Sequence, residues 1–196
     1  MSLVDVAMVG HLGPEALAAT GMGGMLAWGA LSIVLGIRTS VQTITSRRLG
    51  QKKPKECINA LNNGFLLASI YSIPISLLGW TYGYLIIPLF ITDSITTPIA
   101  ISYFSISSIG IFFNALSFVF QGFYTGIEKT KVHLSVTITS NIINAYLNAG
   151  FIYGKDKIGY LLGNQTNNFL DFSNLWFWAD FEGMGVTGAA IGTLIS

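Results

Sequence analysis

Charge is almost absent from long stretches of this chain. No Asp, Glu, Lys or Arg occurs from Ala16 to Ile37, from Cys57 to Thr92, from Ser94 to Ile127, or from Val132 to Gly154. A helix that crosses the hydrocarbon core of a bilayer needs about 20 mainly apolar residues, and each run is long enough to supply them. Charged residues make up 10% of the 196, against about 25% in a soluble domain. Another 52% are hydrophobic, with 22 glycines besides. Such a chain lacks the polar groups needed to cover a water-facing globule. Soluble enzymes, disordered tails and nucleic-acid binders are poor readings of it. The single cysteine, Cys57, leaves no internal disulfide and no Cys-rich zinc site.

The pattern predicts an all-α polytopic membrane protein. Crossing helices are expected over 15–46, 57–90, 95–126 and 131–153, with an outer loop over 154–182. Residues 1–10 and 184–196 read as partial helices, as expected for a piece of a longer membrane protein. Pro74 falls deep enough in its segment to kink it, and Pro88 lies near the exit.

Basic residues set the orientation. Arg47, Arg48, Lys52, Lys53 and Lys55 crowd one connection, and Lys129 and Lys131 occupy another two crossings away. The opposite side has Lys155 and Lys157 among the acids Glu15, Asp93, Asp156, Asp171, Asp180 and Glu182. Cytoplasmic loops carry the excess of Lys and Arg, so 47–56 and 127–132 are expected inside. The long outer loop holds Tyr160, Phe169, Phe172, Trp176, Phe177, Trp178 and Phe181. Those rings suit the headgroup zone, and a part in gating exit is the rival reading. Asn164-Gln165-Thr166 matches a glycosylation acceptor.

Polar residues recur inside the greasy runs at helical spacing. Thr137, Asn141, Asn144 and Asn148 share one face of their helix, and Ser107, Gly110, Asn114, Ser117 and Gln121 share one face of the helix before it. The amides can coordinate a cation through oxygen or bond neighbouring helices together, and both readings stand. Two consecutive polar seams favour a shared wet cavity. Asp5 is the one carboxylate within an apolar run. An ionised Asp at mid-membrane costs about 2.5–3.5 kcal/mol on insertion scales, so Asp5 is either a proton or ion site or simply an exposed end. Arg38 can snorkel to the inner interface. Ala19, Gly23 and Ala27, like Gly188, Gly192 and Ser196, form small-residue seams for helix packing. No nucleophile elbow, phosphate loop or metal-binding helix motif occurs, His11 and His133 are isolated, and neither an enzyme nor a cofactor is expected.

Several stretches taken in order resemble the multidrug and toxic compound extrusion (MATE) family of cation-coupled antiporters. They are Leu3-Val4-Asp5 leading into Val9-Gly10-His11-Leu12-Gly13-Pro14-Glu15-Ala16-Leu17-Ala18-Ala19, then Ser46-Arg47-Arg48-Leu49-Gly50-Gln51, and then Gln121 through Lys131. Asn144, Leu147-Asn148, Tyr153-Gly154 and Gly185-Val186-Thr187-Gly188-Ala189-Ala190 follow. The resemblance implies twelve helices in two six-helix lobes, of which this chain would form an incomplete N-terminal lobe, and a missing C-terminal lobe as partner. It implies export of small organic, often cationic, compounds through the cell inner membrane against entry of Na+ or H+. Asp5 would bind the coupling ion, with Asn144 and Asn148 beside it and Asn114, Gln121, Thr137 and Asn141 lining the cavity. No metal is implied beyond Na+ at Asp5. Some members of the family carry Asp where this chain has Asn148, and the 154–182 loop is longer than usual for the family. A flippase for lipid-linked sugars and a non-transporting membrane subunit are the alternatives. The first would want a basic cavity, for which only Arg38 qualifies.

Overall fold

Among the described residues, six α-helices carry the fold: α1 (Leu3–Gly10), α2 (Pro14–Gly50), α3 (Pro54–Ile86), α4 (Thr96–Gly126), α5 (Thr130–Gly163) and α6 (Gly185–Ile195), with a short 3-10 turn over Ile87–Leu89. The computed structural model describes residues 3–163, 176, 178, 179 and 181–196. No strand occurs among the described residues. Phe169, Phe172, Phe177, Asp171, Asp180 and the Asn164-Gln165-Thr166 triplet lie outside them.

Local chemistry sets the helix ends. Gly13 turns the chain at φ 120 and Pro14 opens α2, a position where its missing N–H costs nothing. Pro54 opens α3 in the same way after Lys52 at φ 58. Pro74 sits within α3, which nevertheless runs unbroken to Ile86, and Pro88 lies in the turn that ends it. Asp93 starts α4. Its Oδ2 accepts the Thr96 backbone N–H at 2.8 Å and the Thr96 hydroxyl at 2.6 Å, satisfying a first-turn donor.

Gly154 interrupts α5 at φ 70, ψ 167. An outer loop is expected to start there, yet the backbone resumes helical geometry as far as Gly163. The glycine supplies the change of direction, and the stretch after it contains no proline to keep it from winding again.

Helices α2 and α4 form the centre. Gly122 of α4 lies so close to α2 that an added Cβ would strike the Arg38 carbonyl oxygen, and one on Gly126 would come within 2.8 Å of the Gln42 carbonyl. Gly64 of α3 faces Val41 and Val119, while Gly79 and Gly83 face Ser108, Ser105 and Phe104 of α4. One core cluster joins Leu31, Val34 and Val41 of α2 to Ala68 of α3 and to Ile111, Ala115 and Val119 of α4. A second joins Val9 of α1, Ala16, Tyr103 and Ile152 to Val186, Ala189 and Ala190 of α6.

The outside is as apolar as the inside. Leu66 is 60% exposed and Ile70 63%, and Ile73, Leu77, Leu78 and Trp80 continue the same outer face of α3. A surface of that kind marks contact with lipid or with more protein. Helices Pro14–Gly50, Pro54–Leu89 and Thr96–Gly126 are each long and apolar enough to cross a bilayer. A fourth crossing is expected in α5. It has the length, but Thr137, Asn141, Asn144 and Asn148 lower its hydropathy, and it does not stand with those three.

Two measurements test this packing. Gly122→Val should force α2 and α4 apart and lower thermal stability in detergent by about 1–3 kcal/mol, the usual cost of overpacking. The hydrogen bonds from Thr96 hold the Asp93 carboxyl below the ordinary carboxylate pKa. Its contribution to stability is therefore complete above that ordinary value and lost as pH falls through the lowered native one. The stability gap between the parent protein and Asp93→Ala should close over that acidic window.

Candidate functional site

Helices α1, α5 and α6 meet at a buried polar cluster. Asp5, in the first turns of α1, is 2% exposed, Asn148 is 0% and Asn144 is 7%. The two asparagines lie one helical turn apart on α5, so their amides stack. Asn148 Nδ2 donates to Asp5 Oδ1 at 2.6 Å and to Asn144 Oδ1 at 3.2 Å. Both donor positions of that amide are thus occupied. Its acceptor, Oδ1, is buried with no hydrogen-bond partner among the described residues. Asn144 Nδ2 in turn donates to Thr193 Oγ1 at 3.4 Å and Ser196 Oγ at 3.1 Å, both on the α6 side.

The surroundings hold the cluster in place. Tyr153 Oη donates to the Met8 carbonyl at 2.7 Å, tying α1 to α5. Tyr103 of α4 is buried in the core cluster that joins Val9 of α1, Ile152 of α5 and Ala189 of α6. Gly192 of α6 lies directly against the Asn148 amide, and a Cβ there would overlap Oδ1. Gly188 packs equally tightly on the Phe151 carbonyl. These two glycines, expected from their spacing to be packing residues, are what lets the α6 backbone reach the site.

A buried carboxylate is tolerable only where hydrogen bonds or a cation compensate its lost hydration. The Asn148 N–H supplies one charge-assisted bond. The carboxylate and amide oxygens are hard donors of the kind that Na+ prefers, and the carboxylate can equally take a proton. Among the described residues no group of three His, Cys, Asp or Glu side chains could hold a metal ion.

The remaining seam residues lie elsewhere. Asn114 and Asn141 are exposed, and each returns its amide to its own helix, to Gly110 O at 3.0 Å and Thr137 O at 2.8 Å. Gln121 meets His133 across the turn between α4 and α5, and Thr137 Oγ1 lies 3.5 Å from the same His133 nitrogen. His133 therefore belongs to the inner polar seam, although nothing near it in sequence marks it. One signal was available: Gln121 and His133 are equidistant from the turn at Ile127, and two antiparallel helices place such positions side by side. Thr193 carries no comparable signal, since its role follows from where α6 docks.

Before α6, Trp176 Nε1 donates to the Tyr146 carbonyl and Trp178 Nε1 to the Tyr146 hydroxyl, each at 2.8 Å. Trp178 also packs edge-on against Phe151. These two rings therefore fold back onto α5.

The MatE family profile matches residues 1–149. The probable multidrug resistance protein NorM of Bacillus subtilis (strain 168) is 28% identical over 155 residues, covering 79% of this chain and 34% of that protein. Its counterpart in Geobacillus kaustophilus (strain HTA426) is 29% identical over 166 residues, covering 85% of this chain and 36% of that protein. The chain thus spans about a third of the length of the curated relatives it matches. Among solved structures, the outward-facing and inward-facing conformations of a multidrug resistance MATE family transporter each superpose with TM-score 0.71 at 22% identity. Each alignment takes in 98% of this chain and 37% or 38% of the other.

The contact between Gly192 and Asn148 can be tested by a double-mutant cycle. Gly192→Ala should destabilise the protein by about 1–3 kcal/mol through overpacking. In a background of Asn148→Ala the same change should cost much less, because the clashing amide is gone, giving a coupling of at least about 0.5 kcal/mol. Additive effects in thermal unfolding would show that the two residues do not press on each other.

Proposed function

The chain belongs to the MatE family, and from that premise we propose that it forms part of a membrane carrier exporting small organic, often cationic, compounds in exchange for entry of Na+ or H+. The observation that carries the reading is the Asp5–Asn148 pair. An acid and an amide are buried together, hydrogen-bonded at 2.6 Å, with the amide acceptor left over. A proton would be taken by the Asp5 carboxylate. A sodium ion would draw on that carboxylate and on the amide oxygens of Asn148 and Asn144.

Coupling needs the cation to prefer one conformation, since a ligand shifts an equilibrium only by its differential affinity. The donor set comes from two helices, α1 and α5, with α6 packed on it through Gly192. It is complete only while they are packed as here, so a bound cation favours that packing. Asn114, Gln121, Thr137 and Asn141 line the cavity in this reading, and the missing C-terminal lobe closes its other side. Binding between two lobes near the bilayer midplane is the usual arrangement for secondary carriers. The seam offers amides, hydroxyls and His133 rather than Lys or Arg, which favours neutral or cationic cargo over the anionic cargo of a lipid-linked sugar flippase. The connections at 47–56 and 127–132 face the cytoplasm, and the carrier resides in the cell inner membrane among its lipids.

Asp5→Asn in the full-length protein keeps the shape of the side chain and removes both its charge and its titration. Drug export by vesicles carrying this variant should be lost under a sodium gradient and under a proton gradient alike. Export at the parent rate under both would overturn the coupling role of Asp5.

A further inference from the structure

A second feature lies between α2 and α3 and shares no residue with the α1–α5–α6 cluster. Helices α2 and α3 part there to form an open cleft of about 670 Å3. That is within the roughly 300–1,000 Å3 range of small-ligand pockets. Its upper walls are apolar, from Ile33, Ile37 and Leu67, with Ile44 further down. Its lower part is polar, from Ser40, Asn59 and Asn63, and it ends at the Arg48–Glu56 ion pair.

The amides are the unexpected feature. Asn59 and Asn63 stand one turn apart on α3, both exposed and both lining the cleft, with Asn62 exposed beside them before the outer face turns to Leu66, Ile70 and Ile73. Polar groups on a lipid-facing helix are costly unless something polar reaches them. The end of the cleft is also strongly basic. Glu56 is shared between Arg48 at 2.9 Å and Lys53 at 3.1 Å, and the same connection carries Arg47, Lys52 and Lys55 with no second acid. One carboxylate against five cations leaves a surplus of positive charge where apolar walls give way to amides.

We propose that this cleft binds a phospholipid with an anionic headgroup. One acyl chain lies along Ile33, Ile37 and Leu67, the glycerol esters meet Asn59 and Asn63, and the phosphate sits at Arg48 and Lys53. A basic pocket between transmembrane helices on the cytoplasmic side suits such lipids. The cytoplasmic placement of the pocket rests on the orientation proposed above. The lipid is held by groups remote from Asp5, so the site is independent of ion coupling.

Native mass spectrometry of the delipidated full-length protein, titrated with phosphatidylglycerol or phosphatidylcholine, tests this without any transport measurement. The parent protein should retain phosphatidylglycerol in preference to phosphatidylcholine. Arg48→Gln should weaken that retention about fivefold, the factor that corresponds to about 1 kcal/mol per basic residue near a membrane surface. Asn63→Trp fills the cleft, leaves the ion pair intact and should reduce retention of both lipids, so it probes the cleft even if Arg48→Gln folds poorly. The pair Lys129→Gln and Lys131→Gln, on the other basic connection, should change nothing. Equal retention of the two lipids would overturn the proposal. So would an equal loss in the Lys129 and Lys131 variant, which means diffuse surface attraction, or indifference to Asn63→Trp, which means that the rest of the full-length protein covers the cleft.

Discussion

Inside hydrocarbon a backbone N–H or C=O has no water to turn to, so each must be satisfied within the protein. Much else in this structure follows from that constraint. It makes the apolar runs helical, and it removes the usual hydrophobic drive for helices to associate, since lipid is as greasy as leucine. What holds α2, α3 and α4 together is then close approach. Gly122 and Gly126 bring α4 against the backbone of α2, and Gly64, Gly79 and Gly83 do the same for α3. Thr20, Ser72 and Ser108 turn their hydroxyls back onto carbonyls of their own helices and so can be fully buried at these contacts.

The same constraint explains why the polar groups are confined to a few places. Asp5 is tolerated because Asn148 donates to it, and Asn148 in turn has room because residue 192 is a glycine. The three residues come from three helices and depend on one another. A loss of packing at α6 would therefore reach the carboxyl on α1 without any substitution at Asp5. The indoles of Trp176 and Trp178 pin the chain before α6 to Tyr146, two residues before Asn148, and so tie it to the same stretch of α5.

Much of the architecture was legible in the chain. Charge-free runs and the proline at 88 mark helices and a helix end by local rules, and local rules are what a sequence expresses directly. The break at Gly154 was legible as an end of the helix but not as a corner, because the helix beyond it depends on backbone geometry that no side chain announces. The pairing of Asp5 with Asn148 was suggested by a family resemblance and by the rarity of buried acids, whereas composition alone left Asp5 equally readable as an exposed end. His133 and Thr193 were not identified, since each gains its partners only when two helices dock.

Taken alone, the sequence determined the class of solvent this protein faces, its all-α character with long apolar helices, and the polar faces along α4 and α5. These are properties of one segment at a time, set by hydropathy and a period of 3.6 residues. The tertiary structure decided which polar residues meet. It joined Asp5, Asn144, Asn148 and Thr193 into one buried cluster and, among the described residues, left Asn114 and Asn141 bonded to their own helices. It also opened a cleft beside Asn59 and Asn63. The reason is physical: a contact between helices depends on their separation and rotation, and those are set by where a glycine permits one backbone to touch another.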